Sequence, residues 1–501
     1  MDIINHLLSG FALVFQPANL LMCFIGVLLG TLVGVLPGLG PVAAMSLLLP
    51  VTYSVNPTGA IIMLSGIYYG TMYGGSTTSI LLNIPGEAAS VVTCLDGYQM
   101  ARKGRAGPAL GMSALGSFIG GSLSIVGLML VAPPLAEFAL KFGPPEYFSL
   151  MVLGIIMLTF LAGDSMSKAL CMAAFGIFLG TVGTDTISGM ERFTFKVPIL
   201  IDGVGLAPVA MGLFGVSEVL LNVELNLKQE VFRTSLKGLL PNLNDWKLCL
   251  MPIIRGSLIG FFLGILPGGG GVLSSFTSYA VEKKSSKHPE EFGTGAIEGI
   301  AGPETANNAA TGGAFIPLFT LGIPSNVVMA VLLGAMLTYG LQPGPQLIMN
   351  NPGLFWGVVA SMYVGNAMLI ILNLPLIGLW VKVLKIPYPL LFPLILLFCL
   401  VGVFSINNNV SEITIMVIFG VIGYFLRKFQ YPTAPALLAL VLGPMLEKAL
   451  RQSLLMSGGS SLIFFTRPIS LITLLIVAAL LGSSILPWVR NKRQTLKEDE
   501  E

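Results

Sequence analysis

Apolar segments recur along almost the whole chain, and glycine and proline interrupt them far more often than charge does. The clearest apolar runs cover residues 115–131, 150–161, 169–179, 327–337, 369–381 and 390–403. Because a helix needs about 20 apolar residues to cross a bilayer, this pattern predicts an all-α polytopic membrane protein with about ten to twelve transmembrane helices. Residues 1–17 lack the basic start of a cleavable signal, so we expect them to form an interfacial or entry helix that is retained.

One glycine-rich segment occurs twice. The first copy runs from Gly26 to Gly40, and the second runs from Gly256 to Gly270, 230 positions later. Each copy has three glycines spaced four residues apart and then ends in Leu-Pro-Gly-x-Gly. Glycines at this spacing let a second helix approach closely, and Pro-Gly breaks the helix and exposes backbone N–H and C=O groups. Two such breaks in matching halves of an apolar chain are typical of a transporter's binding site.

The duplication extends beyond these breaks and divides the chain. Gly74-Gly75 recurs as Gly312-Gly313, and Ile84-Pro85 recurs as Ile323-Pro324, at spacings of 238 and 239. We therefore predict a first transmembrane repeat at 1–225, a polar cytoplasmic linker at 226–252, a second repeat at 253–489 and a charged cytoplasmic tail at 490–501. Where one repeat has a basic loop, the equivalent loop of the other repeat has no basic residues. Since Lys and Arg favour cytoplasmic loops, equivalent loops are expected on opposite sides of the membrane, so the two repeats are expected to have inverted topology.

The second break lies between two basic flanks. Lys247 and Arg255 precede it, and Lys283 and Lys284 follow it. A single straight span would place these flanks on opposite sides of the membrane, whereas a re-entrant hairpin would keep them on one side. The sequence leaves a re-entrant hairpin and a break within one long helix as alternatives.

Composition narrows the classes of function. The chain is 54% hydrophobic and 10% charged, whereas soluble domains carry about 25% charged residues. A net charge of +2 gives no support for nucleic-acid binding. Five cysteines without a C-x-x-C pair and two histidines do not provide a metal-ligand pattern, and we expect no cofactor. The absence of H-E-x-x-H, G-x-S-x-G and Walker A motifs argues against an enzyme and against ATP-driven transport.

Polar residues accompany both breaks and form the candidate substrate site. Hydroxyl and amide groups can hydrogen-bond a carboxylate, a helix N-terminus favours an anion, and side-chain oxygens can ligate Na⁺. The alternative is that these residues serve only close helix packing and helix-to-helix hydrogen bonds. The candidate residues are Pro37, Gly38, Gly40, Ser76, Thr77, Thr78 and Asn83 in the first repeat, and Pro267, Gly268, Gly270, Asn307, Asn308, Thr311 and Ser325 in the second.

Two further residues are candidates for ion coupling. Glu304 and Thr305 stand in a polar run inside the second repeat. An intramembrane carboxylate is by default a functional hypothesis, here the coupling of transport to Na⁺ or protons. A solvated carboxylate at a helix end is the alternative. Glu87 follows Pro85-Gly86, where a carboxylate can simply cap a helix.

At these motifs the chain resembles the large membrane subunit, the TctA type, of the tripartite tricarboxylate transporters. The matching segments are 26–40, 73–86, 266–270 and 304–308. The resemblance implies a multi-pass protein of the bacterial inner (plasma) membrane. It also implies two partners, a small four-helix membrane subunit of the TctB type and a periplasmic substrate-binding protein of the TctC type. The implied activity is import of citrate or another carboxylate by symport with Na⁺ or protons. A carboxylate channel and a membrane scaffold for partner subunits are alternatives.

Overall fold

The computed structural model describes residues 2–36, 40–52, 55–161, 165–185, 187–225, 238–384, 386 and 388–485. The helices of the first repeat are α1 (Asp2–Val14), α2 (Pro17–Val35), α3 (Gly40–Thr52), α4 (Pro57–Leu82), α5 (Val91–Thr93), α6 (Gln99–Arg102), α7 (Ala106–Ala139), α8 (Pro144–Leu161), α9 (Met166–Gly180), α10 (Leu206–Ala210) and α11 (Ser217–Leu225). Short 3₁₀ or π segments lie at Ala88–Ser90, Cys94–Tyr98, Pro198–Leu200 and Met211–Val216. Strands β1 (Gly183–Thr184) and β2 (Glu191–Arg192) pair antiparallel.

The second repeat is helical in the same way. Its helices are α12 (Leu243–Ile265), α13 (Gly270–Ser285), α14 (Glu298–Leu321), α15 (Val327–Thr338), α16 (Pro345–Asn350), α17 (Pro352–Asn373), α18 (Ile377–Val383), α19 (Tyr388–Asn407), α20 (Val410–Lys428), α21 (Ala434–Met456), α22 (Ile463–Thr466) and α23 (Pro468–Ile485). A 3₁₀ turn lies at Pro289–Glu291. The all-α polytopic fold class expected from the apolar pattern is confirmed.

Six of the described helices are long and apolar enough to cross a membrane, and seven further apolar helices are shorter. The six are at Pro17–Val35, Ala106–Ala139, Leu206–Glu224, Leu243–Ile265, Pro352–Asn373 and Val410–Lys428. These thirteen helices are counted among the described residues by length and composition alone, and the number of ten to twelve transmembrane helices stays a prediction. Long helices α4 and α14 are not among the six, since both are rich in glycine and polar residues.

The described residues form two compact units, and each unit takes segments from both repeats. The first contains Met1–Glu137 and Ala207–Tyr424, and the second contains Phe138–Leu206 and Phe425–Glu501. The two units are defined by which residues contact one another in space. The two repeats are defined by the duplicated sequence, and their boundaries at 225 and 253 stay a prediction. Residues 226–237 and 490–501, which belong to the predicted linker and tail, lie outside the described part of the chain.

The duplicated glycines bring two pairs of helices into backbone contact inside the first unit. A Cβ on any of them would clash with the backbone of the facing helix. In the first pair, α2 packs on α4 through Gly26 against Met63, Gly30 against Ile67 and Gly34 against Thr71. In the second pair, α12 packs on α14 through Gly256 against Gly302, Gly260 against Ala306 and Gly264 against Ala310. Each glycine costs about 0.5–1 kcal/mol relative to alanine within a helix, and the close packing it permits offsets that cost.

The two interfaces match residue by residue. Glycines of α2 and α12 are 230 positions apart, and the residues they face on α4 and α14 are 239 apart. The reverse contacts match as well, since Gly74 faces the Thr31 carbonyl and Gly313 faces the Phe261 carbonyl. Both central helices end at a left-handed residue, Asn83 with φ 57° and Gly322 with φ 69°, again 239 positions apart. The duplicated sequence therefore builds a duplicated three-dimensional unit; the inverted orientation of its copies in the membrane stays a prediction.

Helices α12 and α13 form a hairpin. Arg255, in the middle of α12, makes two hydrogen bonds to the carboxylate of Glu282 near the end of α13. In one continuous helix these residues would lie about 40 Å apart, at 1.5 Å per residue. The chain therefore reverses direction at Leu266–Gly269, and of the two alternatives left by the sequence the structure has the hairpin. The corresponding turn in the first repeat, at residues 37–39, lies outside the described residues.

Replacing Arg255 with Gln should destabilise this hairpin. The Glu282 side chain is 1% exposed, so its charge would lose its partner in a desolvated position. We expect a loss of about 2–3 kcal/mol in the free energy of unfolding, measured by thermal or chemical unfolding of the purified protein in detergent. The double variant Arg255→Gln, Glu282→Gln should recover part of that loss; a double variant no more stable than the single one would contradict the assigned ion pair.

A buried carboxylate also anchors the loop that precedes α14. One oxygen of Asp96 accepts backbone N–H groups of Gly293, Gly295 and Ala296 at 2.7–2.9 Å. The other accepts the Tyr279 hydroxyl at 2.9 Å. Asp96 lies in the π segment Cys94–Tyr98 between α5 and α6. The segment from α5 to α6 is thereby tied to the start of α14.

Asp96 should tolerate Asn far better than Ala. An Asn oxygen can still accept the three N–H groups, while its amide faces the Tyr279 oxygen, which can accept a hydrogen bond. Alanine would take the acceptor from three backbone donors, of which that of Ala296 is buried, and we expect it to cost about 2 kcal/mol. Unfolding midpoints of the two variants measure the difference. Equal midpoints would show that the loop is held by other contacts.

Outside the central helices, helices of the first repeat pack against helices of the second repeat within each unit. In the first unit, Met211 and Val219 pack with Cys399 of α19 and Met416 of α20. In the second unit, Gly176 of α9 packs against Ala436 of α21. Ion pairs also tie the β-hairpin of the second unit to α21, namely Arg192 with Glu447 at 2.7 Å and Arg451 with Asp185 at 2.8 Å. Asp185 accepts hydrogen bonds from the Ser188 hydroxyl and from Arg451, and these bonds hold the pKa of Asp185 well below its usual range.

Candidate functional site

Helices α4 and α14 carry the polar candidates, and both are buried along nearly their whole length. Every residue from Gly59 to Leu82 and from Gly299 to Thr320 is buried. Asn56 caps the start of α4 by accepting the N–H of Gly59 at 2.8 Å, and Pro57 takes the first helical position. The polar side chains of both helices therefore face protein, which is the only place where a membrane protein tolerates them at depth.

Glu304 lies at the centre of this region. Its carboxylate accepts the Ser76 hydroxyl of α4 at 2.5 Å and the Thr93 hydroxyl of α5. The side chain is 1% exposed, so the solvated helix-end alternative is wrong. Among the described residues, no Lys, Arg or His forms an ion pair with Glu304. Within the described part of the chain, the carboxyl group is thus held by hydroxyl groups and has no basic side chain beside it.

Asn308 and Asn307 extend the polar cluster along α14. The Asn308 amide donates to the Ser117 hydroxyl of α7 at 2.8 Å and to the Glu304 carbonyl at 3.1 Å. The Asn307 amide donates to the Glu87 carboxylate at 3.2 Å. The side-chain oxygens of both asparagines are buried without a hydrogen-bond partner in the described part of the chain. The two oxygens lie on different sides of α14, that of Asn307 beside Gly271 of α13 and that of Asn308 on the side of α7, and each can accept a further donor or bind a cation.

The repeats meet here in a pair of equivalent contacts. Asn307 of α14 bonds Glu87, and Tyr68 of α4 accepts the Asn326 amide at 3.1 Å. Tyr68 matches Asn307 and Glu87 matches Asn326, each at a spacing of 239. Both Glu87 and Asn326 cap the short helix that follows a central helix, by accepting Ala89 N–H at 2.6 Å and Met329 N–H at 2.9 Å. The equivalent capping position is therefore a carboxylate in the first repeat, Glu87, and a neutral amide in the second repeat, Asn326.

The tip of the α12–α13 hairpin closes against the loop after α14. The Gly268 N–H donates to the Ser325 carbonyl at 2.6 Å, and Gly268 has φ 80°, which favours glycine. The expectation that the second break leaves this N–H free is wrong, because the neighbouring loop supplies its acceptor. Gly270 begins α13 beside Asn326, and Pro267 is half-buried in the turn. Gly271 lies against the Asn307 side chain, where a Cβ would clash with the amide oxygen.

The remaining candidates are spread over several environments. Thr78 donates to the Val35 carbonyl at the end of α2, at 2.7 Å, and so caps the first break. Thr305 donates to the Ala301 carbonyl at 2.6 Å and packs on α7 at Gly116 and Gly120, away from the hydroxyls that hold Glu304. The Asn83 side chain is exposed.

Five other candidates lie at scattered positions. Thr77 is buried on α4, and Thr311 donates to the Asn307 carbonyl at 3.1 Å. Gly40 begins α3 with φ 58°. Pro37 and Gly38 lie outside the described residues.

Sequence reasoning missed several partners of these residues. Thr93 and Ser117 bond Glu304 and Asn308 from helices that carry no break motif. Asn366 of α17 accepts the Tyr73 hydroxyl at 2.5 Å and donates to the Phe118 carbonyl at 2.9 Å. Single polar residues in apolar helices were the signal available for all three. Glu87 was assigned to capping, which it performs, but it also bonds Asn307. Among the described residues, no group of three His, Cys, Asp or Glu could hold a metal ion.

Comparisons with known proteins assign the family. The model of the tripartite tricarboxylate transporter TctA family matches residues 20–438. An Agrobacterium vitis protein named as an uncharacterized 52.8 kDa protein in the TAR-I ttuC′ 3′ region is 51% identical over 501 residues, all of both chains. A second protein of that organism, named for the TAR-II ttuC′ 3′ region, is 53% identical over 244 residues, 48% of this chain and all of its own. No solved structure has a significant match. The chain belongs to the tripartite tricarboxylate transporter TctA family.

Proposed function

We propose that this chain is the large membrane subunit of a binding-protein-dependent secondary transporter. It imports a citrate-like tricarboxylate or another carboxylate, and a Na⁺ or proton gradient drives the import. The family assignment supports a transporter subunit. In this proposal the chain is a multi-pass protein of the bacterial inner membrane. It works with a small four-helix membrane subunit and with a periplasmic protein that delivers the substrate.

The observation that carries the proposal is the buried carboxyl group of Glu304. It accepts hydroxyl hydrogen bonds and has no basic partner among the described residues. Isolated charges are expensive to bury, so such a group binds either a proton or a cation. Glu87, the second buried carboxylate, bonds Asn307 three residues further along α14. Both groups thus respond to the cation that accompanies transport.

The same two carboxyl groups explain why transport of an anion would need a coupling ion. A carboxylate substrate held near Glu304 and Glu87 is repelled while both are ionised and uncompensated. A co-bound proton or Na⁺ removes that repulsion and lets amide and backbone donors around Asn307 and the hairpin tip hold the substrate. The substrate therefore binds well only together with its driving ion, which is the condition for symport.

Alternating access between the two structural repeats would carry the loaded site across the membrane. The matched interfaces of α2 with α4 and of α12 with α14 supply two similar bodies, and the hairpin α12–α13 provides a gate beside Asn307. Loading would close the Gly268–Ser325 contact, and release would open it.

Uptake of labelled citrate into proteoliposomes tests the proposal. The vesicles contain this chain with its small partner, the binding protein is outside, and Na⁺ and proton gradients are imposed separately. Accumulation above equilibrium that depends on one gradient and on the binding protein is the expected result. Accumulation of another carboxylate in place of citrate would change the substrate and keep the mechanism. Equilibration without accumulation would indicate a channel, and no flux of any carboxylate would favour a scaffold.

A further inference from the structure

A small, partly open cavity lies between α4, α7, α14 and α17, beside the proposed coupling site. Its volume is about 20 Å³, enough for one water molecule or one dehydrated cation. Residues from all four helices line it, among them Tyr69, Ser124, Asn308, Thr311 and Asn366. Glycines at 121 and 312 also line it, and a Cβ on either would meet the Asn366 amide or the Ser124 hydroxyl. The two glycines thus let the Ser124 hydroxyl and the Asn366 amide approach the facing helices closely beside the cavity.

Asn308 lines this cavity, and its side-chain oxygen has no hydrogen-bond partner among the described residues. Its side chain is 3% exposed, and its amide nitrogen is held by the Ser117 hydroxyl and the Glu304 carbonyl. Those two bonds fix the orientation of the amide. The side-chain oxygen is then left buried without a hydrogen-bond partner among the described residues. A buried carbonyl oxygen in that condition is a strong site for a donor or a cation.

The other polar residues of the lining direct their protons elsewhere. Ser124 donates to the Gly121 carbonyl at 2.8 Å, and Thr311 donates to the Asn307 carbonyl at 3.1 Å. The Asn366 amide donates to the Phe118 carbonyl at 2.9 Å and to the Ser122 hydroxyl at 3.0 Å. Tyr69 donates to the Ser361 carbonyl at 3.3 Å. These protons are therefore used within the protein, and the oxygens of Asn308, Ser124 and Thr311 keep lone pairs that can bind an ion.

The negative charge of the nearby Glu304 carboxylate would favour a cation in the cavity. Asn308 follows Glu304 by one helical turn, which places the two residues about 6 Å apart along the helix axis. Glu304 has no basic partner among the described residues. A positive charge in the cavity would offset the buried carboxylate across this short separation. The neutral oxygens and the lack of a carboxylate in the lining favour a monovalent ion over Ca²⁺ or Mg²⁺.

We propose that this cavity binds a dehydrated Na⁺ ion, with Asn308 and Thr311 of α14 and Ser124 of α7 as its side-chain ligands. The inference rests on the proposed function, because it gives the coupling ion of the carrier its place. It assigns Thr311 to the ion and leaves the substrate to the hairpin tip and Asn307. Na⁺ is named over K⁺ because it is the cation of the proposed gradient.

Binding of ²²Na⁺ to the full chain in nanodiscs, without any carboxylate, tests the site directly. We expect saturable binding that Li⁺ displaces and K⁺ does not. Thr311→Val should weaken the affinity by roughly tenfold or more, the effect of losing one buried ligand, and Thr311→Ser should retain it. Thr320→Val is the matched control, since Thr320 is also buried on α14 and also donates to the carbonyl four residues back, at 2.7 Å, but does not line the cavity.

Two outcomes would overturn the site. Absence of saturable ²²Na⁺ binding would mean that the cavity holds water. Equal affinities of Thr311→Val and the wild-type chain, with both proteins monodisperse in size-exclusion chromatography, would place the ion elsewhere. If ²²Na⁺ binds as expected but carboxylate uptake ignores the Na⁺ gradient, the site stands and the proposed coupling fails.

Discussion

Replacing Glu304 with Gln is expected to abolish uphill accumulation of the carboxylate substrate while the protein remains folded. Glutamine has a similar shape and can still accept the Ser76 or Thr93 hydroxyl. It carries no negative charge, so the coupling cation loses its counter-charge. We expect gradient-driven uptake to fall by roughly a hundredfold, which corresponds to about 2.7 kcal/mol.

The measurement is initial uptake into proteoliposomes with the gradient imposed, together with exchange of labelled for unlabelled substrate at equal concentrations. Exchange should survive in Glu304→Gln, because it needs no gradient. Glu290→Gln is the control, since Glu290 is exposed and pairs only with His288 at 3.2 Å. Gradient-driven accumulation at the wild-type level in Glu304→Gln would remove Glu304 from the coupling mechanism.

Replacing Gly260 with Val should prevent the protein from folding. Gly260 faces the backbone of Ala306, and a Cβ there would clash with the Ala306 carbonyl oxygen. Backbone atoms in the middle of two packed helices cannot move aside as a flexible side chain can. The helices α12 and α14 would have to separate, and the hydrogen bonds around Glu304 and Asn308 would separate with them. We expect a cost of at least about 3 kcal/mol.

The yield of monodisperse protein and its melting temperature in detergent measure this effect. Leu258→Val is the control on the same helix, because Leu258 is 56% exposed and makes no comparable contact. Gly30→Val should behave like Gly260→Val, since Gly30 faces the Ile67 backbone in the equivalent interface. A Gly260→Val protein with a normal melting temperature would show that α12 and α14 do not pack as described.

Much of the fold could be predicted from local pattern. Glycines at four-residue spacing put one smooth face on a helix, and their recurrence 230 positions later predicts two equivalent interfaces. Which helix packs on that face was not predictable, because Met63 and Gly302 have no feature in common. Basic residues on both flanks of the second break allowed a hairpin, but only the pairing of Arg255 with Glu282 distinguished it from a kinked helix.

The candidate site was predictable in part for a similar reason. Glu304, Asn307 and Asn308 are conspicuous as polar residues in an apolar chain, and the structure brings them together with Ser76. Thr78 and Thr305 look equally suitable in sequence, yet Thr78 caps α2 at the Val35 carbonyl, Thr305 packs on α7, and neither lines the cavity beside Asn308. A threonine in a buried helix can always bond the carbonyl one turn back, so sequence alone does not reveal whether its oxygen serves the helix or a ligand.

The sequence by itself determined the membrane class, the helical fold and the duplication, because hydropathy and glycine spacing act locally along each helix. It also identified the family through its paired Leu-Pro-Gly motifs. Only the tertiary structure decided that Thr93 and Ser117 complete the surroundings of Glu304 and Asn308. It alone placed Glu87 opposite Asn307, and it alone formed the cavity beside Asn308. These features depend on how distant helices approach one another, and that approach is set by the packing of whole surfaces rather than by any single segment.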